Sequence, residues 1–148
     1  MKKTKNFGGY WIKNLKNFKG HEGEHLLQCS VYKDNKRIGF YSDDSWGGPP
    51  QLQEFNVKEE KELIAFAKTI DKNPWAESYG SMIHEIAEII NHNKWLKRQC
   101  HKHCVFTTPD IKEGSYKILK IKYSGNEQRI KGFLDKEFPE YTIINKQI

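Results

Sequence analysis

The segment LLQCSVYKDNKRIGFY, residues 26–41, carries the pattern that decides the fold. Leu27, Cys29 and Val31 alternate with Gln28, Ser30 and Tyr32, which is the period of two typical of a strand. Asp34-Asn35 supplies turn chemistry, because both residue types tolerate positive φ. Ile38 and Phe40 then continue along one face of a return strand. The segment therefore predicts a β-hairpin.

Helical periodicity marks three later segments. Asn56, with Glu59 three residues on, predicts the capped start of the first helix, which Asn73-Pro74 ends. Ser81 begins the second helix, and Ser124 or Asn126 caps the third. Their apolar stripes comprise Leu63, Phe66, Ala67 and Ile70; Met82, Ile83, Ile86, Ile89, Ile90 and Leu96; and Ile130, Phe133, Leu134 and Phe138.

Four further segments are predicted to be strands, namely residues 51–55, 103–108, 116–123 and 141–144. The resulting order, β-β-β-α-α-β-β-α-β, predicts an α+β fold. We expect three helices packed on one face of a mainly antiparallel sheet. A length of 148 residues suits a single domain over residues 1–148, with a basic N-terminal segment at residues 1–19.

The charge balance favours anionic partners. The net charge is +6, and six lysines precede the first acidic residue, Glu22. This excess indicates a nucleic acid, a nucleotide or an acidic protein as partner, although a block of lysines is also typical of a solvated arm.

The number of cysteines and the hydropathy of the chain indicate in which cellular compartment the protein lies. Three cysteines, an odd number, indicate reduced thiols rather than a disulfide framework. The chain has no secretory signal and no apolar run long enough to span a membrane. We therefore expect a soluble, cytoplasmic protein without a membrane partner.

Residues 21–25, HEGEH, spell the zinc-protease motif H-E-x-x-H. That motif needs a helix, which places residues four apart on one side so that both imidazoles reach one ion. Gly20 and Gly23 disfavour a helix here, and strand periodicity follows at once. We interpret the match as incidental.

Residues 100–104, CHKHC, offer four candidate zinc ligands, two Cys and two His, in five positions. Structural zinc sites draw their ligands from two separated pairs, and no second pair is present. The favoured interpretation is a helix C-terminus whose cationic side chains complement the macrodipole, with both cysteines partly buried. The sequence thus predicts no metal and no cofactor.

The segment from Ser42 to Pro50 is rich in glycine and proline and predicts a rigid loop. Asp43 and Asp44 offer carboxylates, although adjacent residues of a strand point to opposite faces. Trp46, beside Gly47 and Gly48, is either an exposed anchor for a partner or a plug for the core.

A basic cluster is expected near the end of the second helix. It contains Lys94, Lys97, Arg98, His101, Lys102 and His103, and Lys117, Lys120 and Lys122 follow on a strand. Such residues pair with phosphates, although solvated surface is the commoner role.

Two motifs carry a family resemblance. The run from Lys16 to Gly23, followed by a hairpin and by residues 43–49, DDSWGGP, resembles a group of small proteins of phages and other mobile elements. The likeness extends through residues 96–98, 105–106, 116–123 and 144–145. The resemblance implies that the G-H-E-G portion matters and that His25 does not belong to the pattern. It also implies a phage accessory role inside the bacterial host cytosol, in a setting where small proteins block or sequester host-defence components.

These observations favour a non-enzymatic accessory protein, an inhibitor of bacterial host defence that binds a CRISPR effector or sequesters a signalling nucleotide. The predicted binding residues are His21, Glu22, Asp43, Asp44, Trp46, Gly47, Gly48, Lys97 and Arg98. No catalytic residue is nominated. The alternative is a metal-dependent hydrolase or nuclease that uses His21, Glu22, Asp43 and Asp44. A second alternative is plain nucleic-acid binding, which demands a steep fall of affinity with salt.

Overall fold

The computed structural model describes residues 6–43, 50–70 and 78–148. It confirms the α+β class, with antiparallel strands and three α-helices. The described chain forms two compact units, an N-terminal unit of residues 4–89 and a C-terminal unit of residues 90–148. The single domain over residues 1–148 stays a prediction. Among the described helices, none combines the length and the apolar composition needed to cross a bilayer.

The N-terminal unit contains a four-stranded antiparallel sheet in the order β1-β2-β3-β4. Its strands are β1 (Tyr10–Lys19), β2 (His25–Lys33), β3 (Lys36–Ser42) and β4 (Gln51–Gln53). β2 and β3 form the predicted hairpin, and its turn residues Asp34 and Asn35 have φ values of 49° and 68°. The hairpin prediction is therefore confirmed.

β1 was not predicted, because it lies in the basic N-terminal segment, where the many lysines obscure the strand periodicity. Lysines occupy its exposed positions, whereas Tyr10 and Ile12 are buried. A bulge between Lys13 and Lys16, with Asn14 at a φ of 55°, also interrupts the alternation. From Tyr10 onward the segment is an edge strand rather than a solvated arm.

A second bulge changes which residues of β3 are buried most deeply. The register pairs Val31 with Gly39 and Cys29 with Tyr41, and it shifts between Val31 and Tyr32. Tyr41 is consequently fully buried, whereas Phe40 pairs with Ser30 on the other face of the sheet.

The helices begin and end close to their predicted limits. They are α1 (Val57–Ile70), α2 (Ser78–Lys102) and α3 (Glu127–Glu137), followed by a short 3₁₀ helix at Ile144–Gln147. The Glu59 N–H donates to Asn56 Oδ1 at 2.7 Å, which confirms the predicted cap of α1. α2 begins three residues before Ser81, and the predicted end of α1 at Asn73-Pro74 lies outside the described residues.

The core of the N-terminal unit lies between one face of its sheet and two helices. Leu27, Cys29 and Tyr41 from the sheet are fully buried, as are Leu63 from α1 and Ile83 from α2. Two ring contacts join the layers, Tyr10–Phe66 with centroids 5.4 Å apart and Tyr41–Tyr79 at 6.5 Å. Both helices thus cover the same face of the sheet.

The C-terminal unit has its own sheet, so the strands do not form the single sheet that the sequence predicted. β5 (Cys104–Thr107) lies between β6 (Lys117–Leu119) and β7 (Thr142–Ile143) in the antiparallel order β6-β5-β7. Its core combines Cys104 and Phe106 of β5 with Ile130 and Leu134 of α3.

Candidate functional site

Two strands place polar side chains on the helix-covered face of the N-terminal sheet, at one end. His25 is the first residue of β2, and a period of two puts it on the same face as Leu27 and Cys29. The register pairs Asn17 with Leu27 and Lys19 with His25. Directly paired residues share a face, so Asn17 and Lys19 of β1 lie on this face as well.

The end of β3 supplies two more residues. Tyr41 pairs with Cys29 and therefore lies on the buried face. Asp43 follows two residues later, and its backbone N–H donates to the Leu27 carbonyl oxygen at 3.0 Å. This bond extends the pairing of the two strands and keeps Asp43 at the end of the sheet where His25 lies.

His84 on α2 completes the group. Its Nε2 lies 3.2 Å from Asp43 Oδ2, and the side chains of His84 and Asp43 are 32% and 20% exposed. Since an ionised carboxylate only accepts hydrogen bonds, Nε2 of His84 carries the proton. Asp43 thereby fixes both the orientation and the tautomer of a ring that solvent can reach.

The His25 ring lies next to the His84 ring, with centroids 6.2 Å apart and planes at 84°. His25 Nε2 donates to the amide oxygen Asn17 Oδ1 at 2.8 Å. Within the described part of the chain, neither ring makes a hydrogen bond through Nδ1. Each imidazole is thus held through Nε2, and its Nδ1 is available to a ligand.

Tyr41 packs under this group, with its ring centroid 6.0 Å from that of His84. Its hydroxyl is buried and has no hydrogen-bond partner among the described residues. Burial, and then the charge of Asp43, raise the pKa of Tyr41 far above its ordinary value. The phenol is therefore neutral at every physiological pH. Asn17, His25, Tyr41, Asp43 and His84 are called the His25–His84 cluster below.

The H-E-x-x-H stretch forms the turn between β1 and β2. The Gly20 N–H donates to the Glu24 carbonyl oxygen at 2.9 Å, and Gly23 has a φ of 80°. The motif is therefore not helical, as its glycines predicted. His21 and Glu22 are exposed on this turn, and it is His25, left out of the predicted binding set, that contributes to the cluster.

The other predicted binding residues are distributed as follows. Asp43 belongs to the cluster, whereas Asp44, Trp46, Gly47 and Gly48 lie outside the described residues. Lys97 and Arg98 are exposed on α2 in the C-terminal unit. Within that unit, Lys97, His101 and Lys122 line a cleft of about 400 Å³ together with Cys100, Tyr123 and Asn145.

The two histidine-rich motifs do not form a metal-binding group of described residues. In the described ranges, no group of three or more His, Cys, Asp or Glu residues is arranged to hold a metal ion. All three cysteines are free in this structure. Cys104 is fully buried and Cys100 is partly buried, and burial raises the pKa of both thiols.

Sequence reasoning missed His84 and Asn17, although a signal for the first was present. Gly80, His84 and Ala87 follow helical spacing beside the apolar stripe of α2, so His84 borders the buried face. Extending the period of two from Leu27 back to His25 finds the second imidazole in the same way.

No protein-family model, no curated protein and no solved structure matches this chain.

Proposed function

We propose that this chain is a binding protein for a phosphate-bearing ligand of the nucleotide class, held at the His25–His84 cluster. One observation carries the proposal: two solvent-accessible imidazoles from different elements lie side by side, with ring centroids 6.2 Å apart. Each ring is fixed through Nε2, by Asp43 and by Asn17. When such a ring is protonated, its Nδ1–H donates to a phosphate oxygen, and the orientation of the ring is set before the ligand arrives.

The charge near the cluster has the sign that this ligand needs. Lys19 pairs with His25 in the sheet register and shares its face. The chain as a whole carries a net charge of +6. A lysine on the same face as the two imidazoles adds positive charge that attracts phosphate, and counterion release adds to the affinity.

The biological setting follows from the family resemblance. We place the protein among phage or mobile-element accessory proteins that act in the bacterial cytosol. Sequestration of a signalling nucleotide is the inhibitory route that the cluster supports, since it requires a ligand site and no reaction. Direct binding to a CRISPR effector is the other route, and it requires a protein surface instead.

Calorimetric titration tests the site with three probes: inorganic phosphate, a cyclic dinucleotide, and a short 2′-O-methyl RNA oligonucleotide. We expect nucleotide binding that falls about tenfold or more in His84→Gln and in His25→Asn. Each change removes a charge-assisted hydrogen bond worth roughly 1.5–3 kcal/mol. The matched control is His101→Gln, which deletes an exposed imidazole of the C-terminal unit. Equal affinity in all four proteins contradicts the proposal.

A pair of lysines on β1 gives a sharper control. Lys19 lies opposite His25, whereas Lys16 lies opposite Gln28, on the other face of the strand. Lys19→Gln and Lys16→Gln therefore remove the same charge from the same strand on opposite faces. We expect only Lys19→Gln to weaken nucleotide binding and to reduce its dependence on salt. Equal effects of the two changes indicate general attraction to a basic protein.

Nucleic-acid binding at the C-terminal unit is the second candidate, and specific observations favour it. The rings of His92, Trp95 and Tyr116 form a cluster with centroids 5.6–6.2 Å apart. Exposed Lys97 and Arg98 follow on the same helix. Aromatic rings beside cations are the usual means of binding single strands. The test is the affinity of Lys97→Gln/Arg98→Gln for a DNA oligonucleotide at several salt concentrations. Unchanged affinity and a flat salt dependence contradict this candidate.

A further inference from the structure

We infer that the His25–His84 cluster cleaves single-stranded RNA without a metal ion, by general acid–base transfer of the phosphodiester to the ribose 2′-oxygen. The inference rests on the proposed function, since the cluster must first bind a phosphate-bearing ligand. It assigns an activity and a substrate class to residues that the sequence treated as part of a binding surface or left unused.

His84 has the environment of a general acid. The Asp43 carboxylate, 3.2 Å from Nε2, attracts a positive charge on the ring. The same contact leaves Nδ1 as the nitrogen that can give a proton to a ligand. With its side chain 32% exposed, the ring is accessible to a bound strand. A histidine oriented by a carboxylate is a recurring arrangement for proton transfer.

His25 has the environment of a general base. Its partner is the neutral amide oxygen of Asn17, which accepts the Nε2 proton at 2.8 Å and adds no charge. The neutral ring then keeps its lone pair on Nδ1, which can accept a proton. The two histidines thus differ in the charge of the group that holds them, and this difference assigns their roles.

The distance between the rings fits one phosphate group. In a displacement at phosphorus, the attacking and leaving oxygens lie on opposite sides of the phosphorus atom. Each must come within about 3 Å of its acid or base nitrogen. Two rings with centroids 6.2 Å apart, and with planes at 84°, are close enough for both to reach the same phosphodiester.

The reaction balances without any further reactant. His25 Nδ1 accepts the proton of the ribose 2′-hydroxyl while that oxygen forms a bond to phosphorus. The bond from phosphorus to the 5′-oxygen breaks, and that oxygen receives the Nδ1 proton of His84. The products are a 2′,3′-cyclic phosphate and a free 5′-hydroxyl. His25 has gained one proton and His84 has lost one, so exchange with water restores both rings.

RNA rather than DNA is the substrate because the nucleophile is the 2′-hydroxyl of the substrate itself. A single strand is required, since its unstacked nucleotides can adopt the in-line geometry that a stacked duplex prevents. Lys19, on the same face as His25, is placed to neutralise charge that develops on the phosphate oxygens.

The test uses a fluorescent DNA oligonucleotide that contains one ribonucleotide, incubated with the full chain in EDTA. We expect one cut, after the ribonucleotide, with a 2′,3′-cyclic phosphate identified by mass spectrometry. The all-DNA oligonucleotide should stay intact. His25→Asn and His84→Gln should each lower the rate by about 100-fold or more. Lys16→Gln and His101→Gln should cleave like the unmodified protein.

Asp43 is a positioning residue, and its test separates orientation from folding. Among the residues that the structure describes, the charged or titratable groups in contact with His84 are Asp43 and Tyr41 at the end of β3 and His25 of β2. Lys19 lies across from His25, and Glu85 and Glu88 belong to α2 itself. Asp43→Asn keeps the shape but not the charge. We expect Asp43→Asn to lower kcat by about tenfold or more with KM nearly unchanged, because the amide no longer fixes the orientation and the tautomer of the His84 ring.

Each outcome distinguishes this inference from the proposed function. Binding of the 2′-O-methyl oligonucleotide that depends on His84, without cleavage of the mixed oligonucleotide, overturns the inference and leaves the binding function. If the protein neither binds the 2′-O-methyl oligonucleotide through His84 nor cleaves the mixed oligonucleotide, the inference and the proposed function are both overturned. Cleavage that EDTA abolishes, or that also cuts DNA, contradicts the mechanism. Equal cleavage by all variants identifies a contaminating nuclease. The circular dichroism spectra of His25→Asn and His84→Gln must match the spectrum of the unmodified protein. If either variant is misfolded, the cleavage rate of Asp43→Asn tests the inference in its place.

Discussion

His84 Nε2 and Asp43 Oδ2 lie 3.2 Å apart, although 41 residues separate them along the chain. Their contact joins the first half of α2 to the end of β3 and fixes a half-exposed imidazole beside a second one. Because both side chains are partly exposed, the pair adds at most about 1 kcal/mol to stability. Its main effect is the orientation of His84, which is why functional variants of the cluster are expected to remain folded.

Asn145 is the polar anchor of the C-terminal unit. Its Oδ1 accepts the Val105 N–H at 2.7 Å, and its Nδ2 donates to the carbonyl oxygens of Cys100 and His103, each at 2.9 Å. Asn145→Ala leaves these three backbone groups without their partner. We expect a loss of about 2–4 kcal/mol in the free energy of unfolding, measured by urea denaturation.

Gln147→Ala, an exposed change in the same 3₁₀ helix, is the control for Asn145 and should alter stability by less than about 0.5 kcal/mol. If Asn145→Ala unfolds at the same urea concentration as this control, the three hydrogen bonds do not support the unit.

Two glycines should respond to alanine in opposite directions. Gly132 lies exposed in α3 with open space around a Cβ atom, so Gly132→Ala should stabilise by roughly 0.5–1 kcal/mol through helix propensity. At Gly39 an added Cβ would overlap the Phe55 ring. Gly39→Ala should therefore destabilise by about 1–3 kcal/mol through overpacking. Thermal melts of both variants check the signs, and a stabilised Gly39→Ala protein contradicts the packing of Phe55 against β3.

Tyr41→Phe tests the buried hydroxyl. Since this hydroxyl has no partner in the described part of the chain, its burial is a cost of about 1–3 kcal/mol. Its removal should leave the protein equally stable or more stable by about 1 kcal/mol, measured by chemical denaturation. Destabilisation of more than about 1 kcal/mol would show that the hydroxyl is hydrogen-bonded in solution. Tyr32→Phe, on a partly buried ring of β2, serves as the comparison.

Cys29 should make stability fall at high pH. Burial raises the pKa of its thiol from an ordinary 9.0 to about 12. The folded state therefore holds the proton that the unfolded state releases, so stability is complete below pH 9 and declines between pH 9 and pH 12. The slope approaches about 1.4 kcal/mol per pH unit for this thiol.

Cys29→Ala measures the contribution of the thiol. Between pH 9 and pH 12 the stability of this variant should decline less steeply than that of the unmodified protein, and the difference in slope is the contribution of Cys29. Tyr41, whose pKa burial also raises, contributes to the decline of both proteins at the upper end. Parallel stability curves for the two proteins would mean that the thiol is ionised or exposed in the folded state.

Local periodicity predicted the elements that have one clearly apolar face. The β2–β3 hairpin followed from the alternation around Leu27, and α1 followed from Asn56 and its stripe. β1 was missed because lysines and a bulge obscure its two buried residues, Tyr10 and Ile12. The second sheet was missed because alternation shows that a strand exists but not which strands it pairs with.

The candidate site was predictable only in part. Asp43 was singled out for its carboxylate, and the turn conformation of residues 20–24 followed from Gly20 and Gly23. The pairing of Asp43 with His84 depends on where α2 crosses the end of the sheet. That is a tertiary relationship, and no spacing within either segment encodes it.

The most direct test of the His25–His84 cluster is a histidine side-chain NMR titration of the ¹⁵N-labelled chain with a 2′-O-methyl RNA oligonucleotide, whose blocked 2′-oxygen permits binding without cleavage. Binding at the cluster predicts that the ring signals of His25 and His84 shift together and saturate at one ligand per chain. The ring signals of His101 and His103 should remain in place. Shifts confined to His101 and His103, or no shift in any of the six histidines, would contradict it.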